Sequence, residues 1–193
     1  MRMLGIGKGM LCVKNTQQPY YVMEGNDHEP IFDRFKLPDT ELFLTKIVRI
    51  KILPKGHLFS RNVADWLFYV NDVPNVNTWF EEEKDLWHTR CVNTLVDKII
   101  PQWEREGITG FLDVSGTEIT ELPDNLKIKS WQRLLSDGNL MHMPGFLNIA
   151  NTKIAKLPKG LVVEGDLTLT GSLITELPKD LKVHGDIHAG DVL

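Results

Sequence analysis

The five residues ITELP occur at positions 119–123 and return unchanged at 174–178, with the near copy IAKLP at 154–158. Each copy lies inside a longer unit of 20 residues, and three such units align: FLDVSGTEITELPDNLKIKS (111–130), FLNIANTKIAKLPKGLVVEG (146–165) and DLTLTGSLITELPKDLKVHG (166–185). A shortened fourth unit, DIHAGDVL, follows from residue 186. A fixed period of this length is typical of a chain built from stacked structural repeats.

Each repeat predicts two short strands, because apolar residues alternate with other residues in two places. The first pairs are Leu112/Val114, Leu147/Ile149 and Leu167/Leu169, and the second are Leu126/Ile128, Leu161/Val163 and Leu181/Val183. Between them, Ile and Leu side chains are expected to turn inward, at Ile119, Ile154, Ile174, Leu122, Leu157 and Leu177. A proline then fixes φ at the bend. Gly-Asp at 165–166 and at 185–186 predicts the return turn.

A single repeat is not expected to fold alone, because it orders 20 residues while burying only about five or six aliphatic side chains. Stacked repeats share their inward-facing rows and pair their strands, so each repeat is stabilised by its neighbours. The pattern therefore predicts a β-solenoid over residues 108–193.

From residue 111 onward the formula resembles the short, 20-residue leucine-rich repeats of bacterial proteins, whose pattern is LxxLxLxxNxLxxLP. The family uses its Asn to bond the backbone of the turn. Here that position holds Thr117, Thr152 and Ser172, whose hydroxyls bond more weakly. A small β-solenoid of another type remains an alternative.

The residues before the repeats predict strands. Val48, Ile50 and Ile52 alternate with basic residues and predict a strand that ends at Pro54. The stretch MLCVKNTQQPYYVME, residues 10–24, predicts a hairpin with its turn at 15–19.

A helix is expected next, opened by the capping box of Thr78 and Glu81. Pro101 either stops it or starts a last turn that ends at Gly107. We therefore predict an α+β protein, in which an α+β capping domain (1–107) precedes a short leucine-rich-repeat-like β-solenoid (108–193).

Two stretches of the first half, RIKILPKG (49–56) and DWLFYVNDVPNV (65–76), resemble uncharacterised proteins of bacteriophages and mobile elements. The resemblance implies a bacterial or bacteriophage origin. No known activity accompanies it.

Composition excludes several classes of function. A formal net charge of -4 argues against broad nucleic-acid binding, which needs a clustered basic face. The apolar runs are too short to cross a membrane, and Gly and Lys interrupt the first residues before a signal-peptide core can form. Two cysteines are too few for a disulfide framework. We expect a cytoplasmic protein with reduced thiols.

An insertion separates the first two repeats, because Leu112 and Leu147 lie 35 positions apart instead of 20. It covers about residues 131–145 and leaves at the return turn. Insertions in repeat proteins often lie on the binding face. We expect its large apolar residues to bind a partner protein, and these are Trp131, Leu134, Leu135, Met141 and Met143. The alternative is that they fold back as a local cover.

A polar strip is expected along one strand row, where the outward positions are Asp113, Asn148 and Thr168. Small, regularly spaced polar residues suit recognition of another macromolecule, and a plain solvated face is the alternative.

The last repeat predicts an open edge at Lys182, His184 and His188, which would pair with a second copy or with a partner strand. The alternative is a strand too short to recruit anything.

The signals for chemistry are weak. GIGKG at 5–9 lacks the length and the Ser or Thr of a phosphate-binding loop. His88 and Cys91 share a helix face, but Cys91 lies on the apolar stripe and is expected to be an inert buried thiol. The Gly-Asp turn between His184 and His188 separates their directions, which disfavours a metal site there.

We therefore expect no catalytic residue, metal or cofactor. The expected function is that of a non-enzymatic protein that binds a host bacterial protein as its inhibitor or adaptor. If a bacteriophage encodes it, it would be of the anti-defence type. One alternative is a small enzyme or ligand-binding protein with its site between the two domains. Another is a self-assembling structural subunit.

Overall fold

The computed structural model describes residues 9–13, 20–22, 47–70, 80, 82–134 and 137–190. These residues form a mixed α/β protein with a helical segment and several β-sheets. The chain divides into two compact units, Met1–Ile52 with Leu67–Ile99 and Leu53–Trp66 with Ile100–Leu193.

The two units divide the chain differently from the predicted boundary at residue 107. Residues 53–66 and 100–107 group with the repeats. Their apolar side chains explain this, because Leu58 is 1% exposed inside the core of the repeats and Phe59 and Trp103 pack against that core. The rings of Phe59 and Trp103 lie 6.2 Å apart.

The first sheet has the strand order β2-β1-β3-β4. Its strands are β1 (Gly9–Val13), β2 (Tyr20–Val22), β3 (Ile47–Pro54) and β4 (Trp66–Val70). Strand β1 pairs antiparallel with both β2 and β3. The predicted strand ending at Pro54 and the two strands of the predicted hairpin are confirmed, while the hairpin's turn lies outside the described residues.

Helix α1 (Lys84–Thr94) buries Trp87, Cys91 and Val92. Thr78 and Glu81, the predicted capping box, lie outside the described residues. Glu83 is the N-cap residue, and its carboxylate accepts a hydrogen bond from the indole N–H of Trp87 at 3.1 Å. No helix within the described ranges has the length and apolar character that a membrane span requires.

Pro101 does not end the helix. A π-helical turn (Leu95–Ile99) is followed by helix α2 (Ile100–Glu106), and Gly107 follows with φ of +82°. Proline has no N–H to donate, and its ring crowds the carbonyl four residues earlier. The wider π turn lies just before Pro101, where this crowding occurs. The predicted last turn ending at Gly107 is thereby confirmed.

The repeats form two parallel four-stranded sheets, ordered β14-β12-β10-β6 and β13-β11-β7-β5. The first contains β6 (Phe111–Asp113), β10 (Phe146–Asn148), β12 (Leu167–Thr168) and β14 (Ile187–His188). The second contains β5 (Ile108–Thr109), β7 (Lys127–Lys129), β11 (Val162–Val163) and β13 (Lys182–Val183). Leu147 stands opposite Leu112 on one side and Leu167 on the other, so equivalent positions of successive repeats are in register.

The predicted inward positions form one hydrophobic core in the second unit. In the first two repeats all of them are at most 8% exposed: Leu112, Val114, Ile119, Leu122, Leu126, Ile128, Leu147, Ile149, Ile154, Leu157, Leu161 and Val163. The third repeat departs from the prediction, since Leu177 is 39% exposed and Leu181 and Val183 are half-buried. Within the described ranges no strand lies beyond β13 and β14, so these side chains have a neighbouring repeat on one side only.

Hydroxyl groups bond the turn that follows the first strand of a repeat. Thr117 Oγ1 donates to the Val114 carbonyl oxygen at 2.6 Å, and Thr152 Oγ1 donates to that of Ile149 at 2.7 Å. Both threonines are buried, as is Ser172. The hydrogen bonds offset the cost of burying a hydroxyl, and they confirm the predicted contact with the turn backbone for the two threonines.

Glycines line the return turns, where adjacent repeats approach most closely. A Cβ at Gly145 would lie 2.7 Å from the backbone of Lys129, and one at Gly165 would overlap the carbonyl oxygen of Gly145. Gly185 donates its N–H to the carbonyl oxygen of Gly165 at 3.0 Å. The column Gly145, Gly165 and Gly185 therefore sets the spacing between repeats, since any larger residue would separate the backbones.

We predict that Gly165→Ala lowers the free energy of unfolding by roughly 2–4 kcal/mol, because the backbone beside it cannot yield as a flexible side chain does. Urea denaturation followed by circular dichroism measures the change. Gly56→Ala is the matched control, because nothing lies within 4 Å of a Cβ there. Equal stability of the two variants would contradict the tight approach at Gly165.

Candidate functional site

The insertion between the first two repeats is a β-hairpin. Its strands β8 (Trp131–Leu134) and β9 (Leu140–Met143) form a two-stranded antiparallel sheet of their own. Trp131 pairs with Met143 at the base, and Leu134 pairs with Leu140 near the tip. The insertion deduced from the interrupted period is thus present, with regular structure.

Local hydrogen bonds shape the tip of the hairpin. The backbone N–H of Asn139 donates to Asp137 Oδ1 at 2.9 Å, and its side-chain amide donates to Asp137 Oδ2 at 2.9 Å. These two hydrogen bonds, the backbone one first, lower the pKa of the Asp137 carboxyl. Gly138 between them has φ of +83°, a conformation that favours glycine.

Apolar side chains are most exposed close to this tip. Leu140 is 63% exposed and Met141 is 45% exposed, whereas Trp131 and Met143 at the base are half-buried. Of the predicted partner-binding residues in the hairpin, Met141 is therefore accessible, while Trp131 and Met143 are half-buried at the base. The Leu134 side chain and the whole of Leu135 lie outside the described part of the chain. Sequence reasoning missed Leu140, whose signal was its place just after the Asp-Gly-Asn turn.

The base of the hairpin holds a buried donor. Trp131 Nε1 is inaccessible to solvent and has no hydrogen-bond acceptor among the described residues. Leaving a donor unpaired costs about 1–3 kcal/mol. The hydrogen bonding at the base is therefore less complete than in the hydroxyl-bonded turns of the repeats.

Glu164 anchors the hairpin to the next repeat. Its Oε2 accepts hydrogen bonds from the backbone N–H of Ser130 at 2.8 Å and from the Ser130 hydroxyl at 2.7 Å. The hydroxyl and then the N–H lower the pKa of the Glu164 carboxyl. Since Ser130 immediately precedes β8, this carboxylate fixes the point at which the hairpin leaves the repeats. Sequence analysis did not identify this contact, although Ser130 and Glu164 are near equivalents in adjacent repeats.

We predict that Glu164→Gln lowers the free energy of unfolding by about 1–2 kcal/mol near neutral pH, because the hydrogen bonds lose their charge. The folded pKa lies below the ordinary 4.5, so the stabilisation is present above that pH and is lost as the pH falls through the folded pKa. Urea denaturation at several pH values should show that the free energies of unfolding of wild type and Glu164→Gln become equal in acid.

Glu176→Gln serves as the control for that measurement, because Glu176 is an exposed glutamate of the next repeat. Its effect on the free energy of unfolding should be small, because the side chain is exposed. If the difference in free energy of unfolding between wild type and Glu164→Gln persists unchanged in acid, the role of the carboxylate is contradicted.

The predicted polar strip is in register, with Asp113 opposite Asn148 and Asn148 opposite Thr168. All three are half-buried. Asp113 Oδ1 accepts from the Ser115 N–H at 3.0 Å, and Asn148 Oδ1 accepts from the Ala150 N–H at 3.0 Å. Their oxygens therefore hold the turns after the strands, which leaves less hydrogen-bonding capacity for a partner.

The predicted edge residues Lys182, His184 and His188 are exposed on or beside the outermost strands of the two parallel sheets. Ile187 beside them is 38% exposed, whereas Leu167, its equivalent one repeat earlier, is fully buried. The last described repeat thus presents two strand edges together with apolar side chains.

The structure describes only part of the residues considered for chemistry. Cys91 is fully buried, as predicted, and the ring of His88 stacks on Phe68 at 4.7 Å between centroids. In the described portion of the chain no three His, Cys, Asp or Glu side chains are placed to share a metal ion. Of GIGKG, only Gly9 is among the described residues.

No protein-family model, curated protein or solved structure matches this chain. Three surfaces of the described residues are candidates for binding: the hairpin of residues 131–143, the polar strip and the edge of the last repeat. Among the large apolar side chains that the structure describes, Leu140 in the hairpin is the most exposed.

Proposed function

We propose that this chain is a non-enzymatic protein that binds one partner protein stoichiometrically, as an inhibitor or adaptor of a host bacterial protein. The exposure of Leu140 and Met141 near the tip of the inserted hairpin carries this proposal. Large apolar and methionine side chains that are exposed on a folded surface are typical anchors of protein interfaces.

The hairpin is proposed to project from a leucine-rich-repeat-like solenoid. Two parallel sheets in register, a 20-residue period and the shared core of the repeats support that architecture. Repeat scaffolds commonly offer their faces to macromolecules. A stacked scaffold would hold the hairpin at a fixed angle, which reduces the entropy lost when the partner binds.

The geometry of the tip favours insertion into a cleft of the partner. Leu140 and Met141 are successive residues of one strand, so their side chains point to opposite faces of the hairpin. Both are exposed. A flat partner surface would cover only one of them, whereas a groove would bury both. The polar strip is assigned a secondary role, because its oxygens already bond the turns.

We predict that the double substitution Leu140→Ser with Met141→Ser weakens partner binding roughly tenfold or more, because two apolar anchors are lost. Affinity capture from host lysate identifies the partner, and calorimetric titration with the purified partner then measures the affinity and the stoichiometry. Leu173→Ser is the matched control, since Leu173 is 58% exposed outside the hairpin. Retention of every captured protein by the double variant would refute the role of the hairpin.

A second candidate function, self-association, is favoured by the last repeat. Leu177 and Ile187 are 39% and 38% exposed, while the equivalent Leu157 and Leu167 are 8% and 0% exposed. Unpaired strand edges with adjacent apolar side chains invite pairing with another chain. A second copy meeting the edge around a two-fold axis would cover both surfaces.

For self-association we predict that light scattering gives about twice the chain mass at micromolar concentration, and that Ile187→Lys restores the mass of a single chain. Leu173→Lys, which adds the same charge at a position off the outermost strands, should leave the dimer intact. A wild-type chain that stays monomeric as its concentration rises would exclude this edge as a dimer interface.

A further inference from the structure

The two cysteines of the chain meet inside the first unit. Cys12 lies on β1 and Cys91 lies on α1, 79 residues apart in sequence, and their Sγ atoms are 3.8 Å apart. Both side chains are fully buried. The chain has only these two thiols, and folding brings them into direct contact.

We propose that Cys12 and Cys91 are a reversible redox pair, which a low-molecular-weight disulfide such as glutathione disulfide converts from two thiols into one internal disulfide. The disulfide would tie the sheet to the helix in the first unit. A disulfide has an S–S distance of about 2.05 Å, so the sulfurs need to approach by less than the width of one atom.

The proposed oxidation is balanced. One cysteine, as its thiolate, attacks a sulfur of glutathione disulfide, forms a mixed disulfide and releases one glutathione thiolate. The other cysteine, after losing its proton, displaces the second glutathione thiolate and closes the internal disulfide. The protein loses two electrons and two protons, and one glutathione disulfide becomes two glutathione molecules.

Contact between the thiols controls how readily they react. The hydrogen bond with Cys91 and then burial raise the pKa of the Cys12 thiol, and the nearby Arg90 opposes them only in part. The thiol therefore stays protonated while the first unit is closed, and protonated thiols are poor nucleophiles. Oxidation is expected to require local opening between β1 and α1, so its rate reports the opening of this unit.

Oxidation should also change the stability of the chain. A bond between residues 79 positions apart closes a long loop in the unfolded chain and restricts its conformations, so a native disulfide without strain stabilises the folded state. The pair would thus make the stability of the first unit depend on the redox potential of the surroundings. The hairpin belongs to the second unit and has no part in this effect.

The test is equilibration of the full chain in glutathione buffers that range from reducing to oxidising. One sample starts reduced, and the other is oxidised while unfolded and then refolded. Thiols are alkylated after quenching and counted by mass spectrometry. We expect both samples to converge in oxidising buffer on no free thiol and no bound glutathione, and in reducing buffer on two free thiols. The thermal midpoint should be higher for the oxidised chain.

Single variants provide the controls, since Cys12→Ser and Cys91→Ser each leave one thiol and cannot close the bond. Their thermal midpoints should therefore not rise in oxidising buffer. The proposal is overturned if the wild-type chain keeps both thiols in oxidising buffer, if it stops at a glutathione adduct, or if the oxidised chain no longer unfolds cooperatively.

Discussion

Backbone pairing between residues one repeat apart is the constraint on which the second unit depends. Leu147 and Ile149 donate their N–H groups to the carbonyl oxygens of Asp166 and Thr168, each at 3.0 Å. This register places each buried aliphatic residue beside its equivalent in the next repeat. A shift by one residue would turn the apolar row outward, so the hydrogen bonds and the core specify the same arrangement. The close approach at Gly145 and Gly165 belongs to the same constraint, because parallel backbones can stack there only without side chains.

The period of the sequence was sufficient to predict the strands of the repeats, their register and the place of the insertion. Each of these follows from local alternation and from counting residues, as with Leu112 and Leu147. The hydrogen bonds from the hydroxyl groups of Thr117 and Thr152 to the turn backbone were also predictable, because a buried hydroxyl must find an acceptor nearby. The exposure of Leu177 was not foreseen, because the inward position was assigned from the repeated formula without regard to the open edge predicted for the last repeat.

Contacts between distant residues could not be read from the period. Nothing in the alternation relates Ser130 to Glu164, although they are near equivalents in adjacent repeats, since the hydrogen bond depends on rotamers at the insertion. The contact of Cys12 with Cys91 depends on how β1 and α1 pack in the first unit, and the sequence gives only two isolated thiols. The grouping of Leu58 with the repeats likewise depends on tertiary packing.

The hairpin leaves the repeats at Ser130 and the chain rejoins them at Gly145, while the strands on both sides keep their register. Under the proposed function, folding and recognition are encoded in separate segments. Under selection, the inserted segment is free to diverge in length and composition as long as its two ends remain close together. Such modularity would let one scaffold acquire new targets by exchange of a short loop, without repeated loss and recovery of its stability.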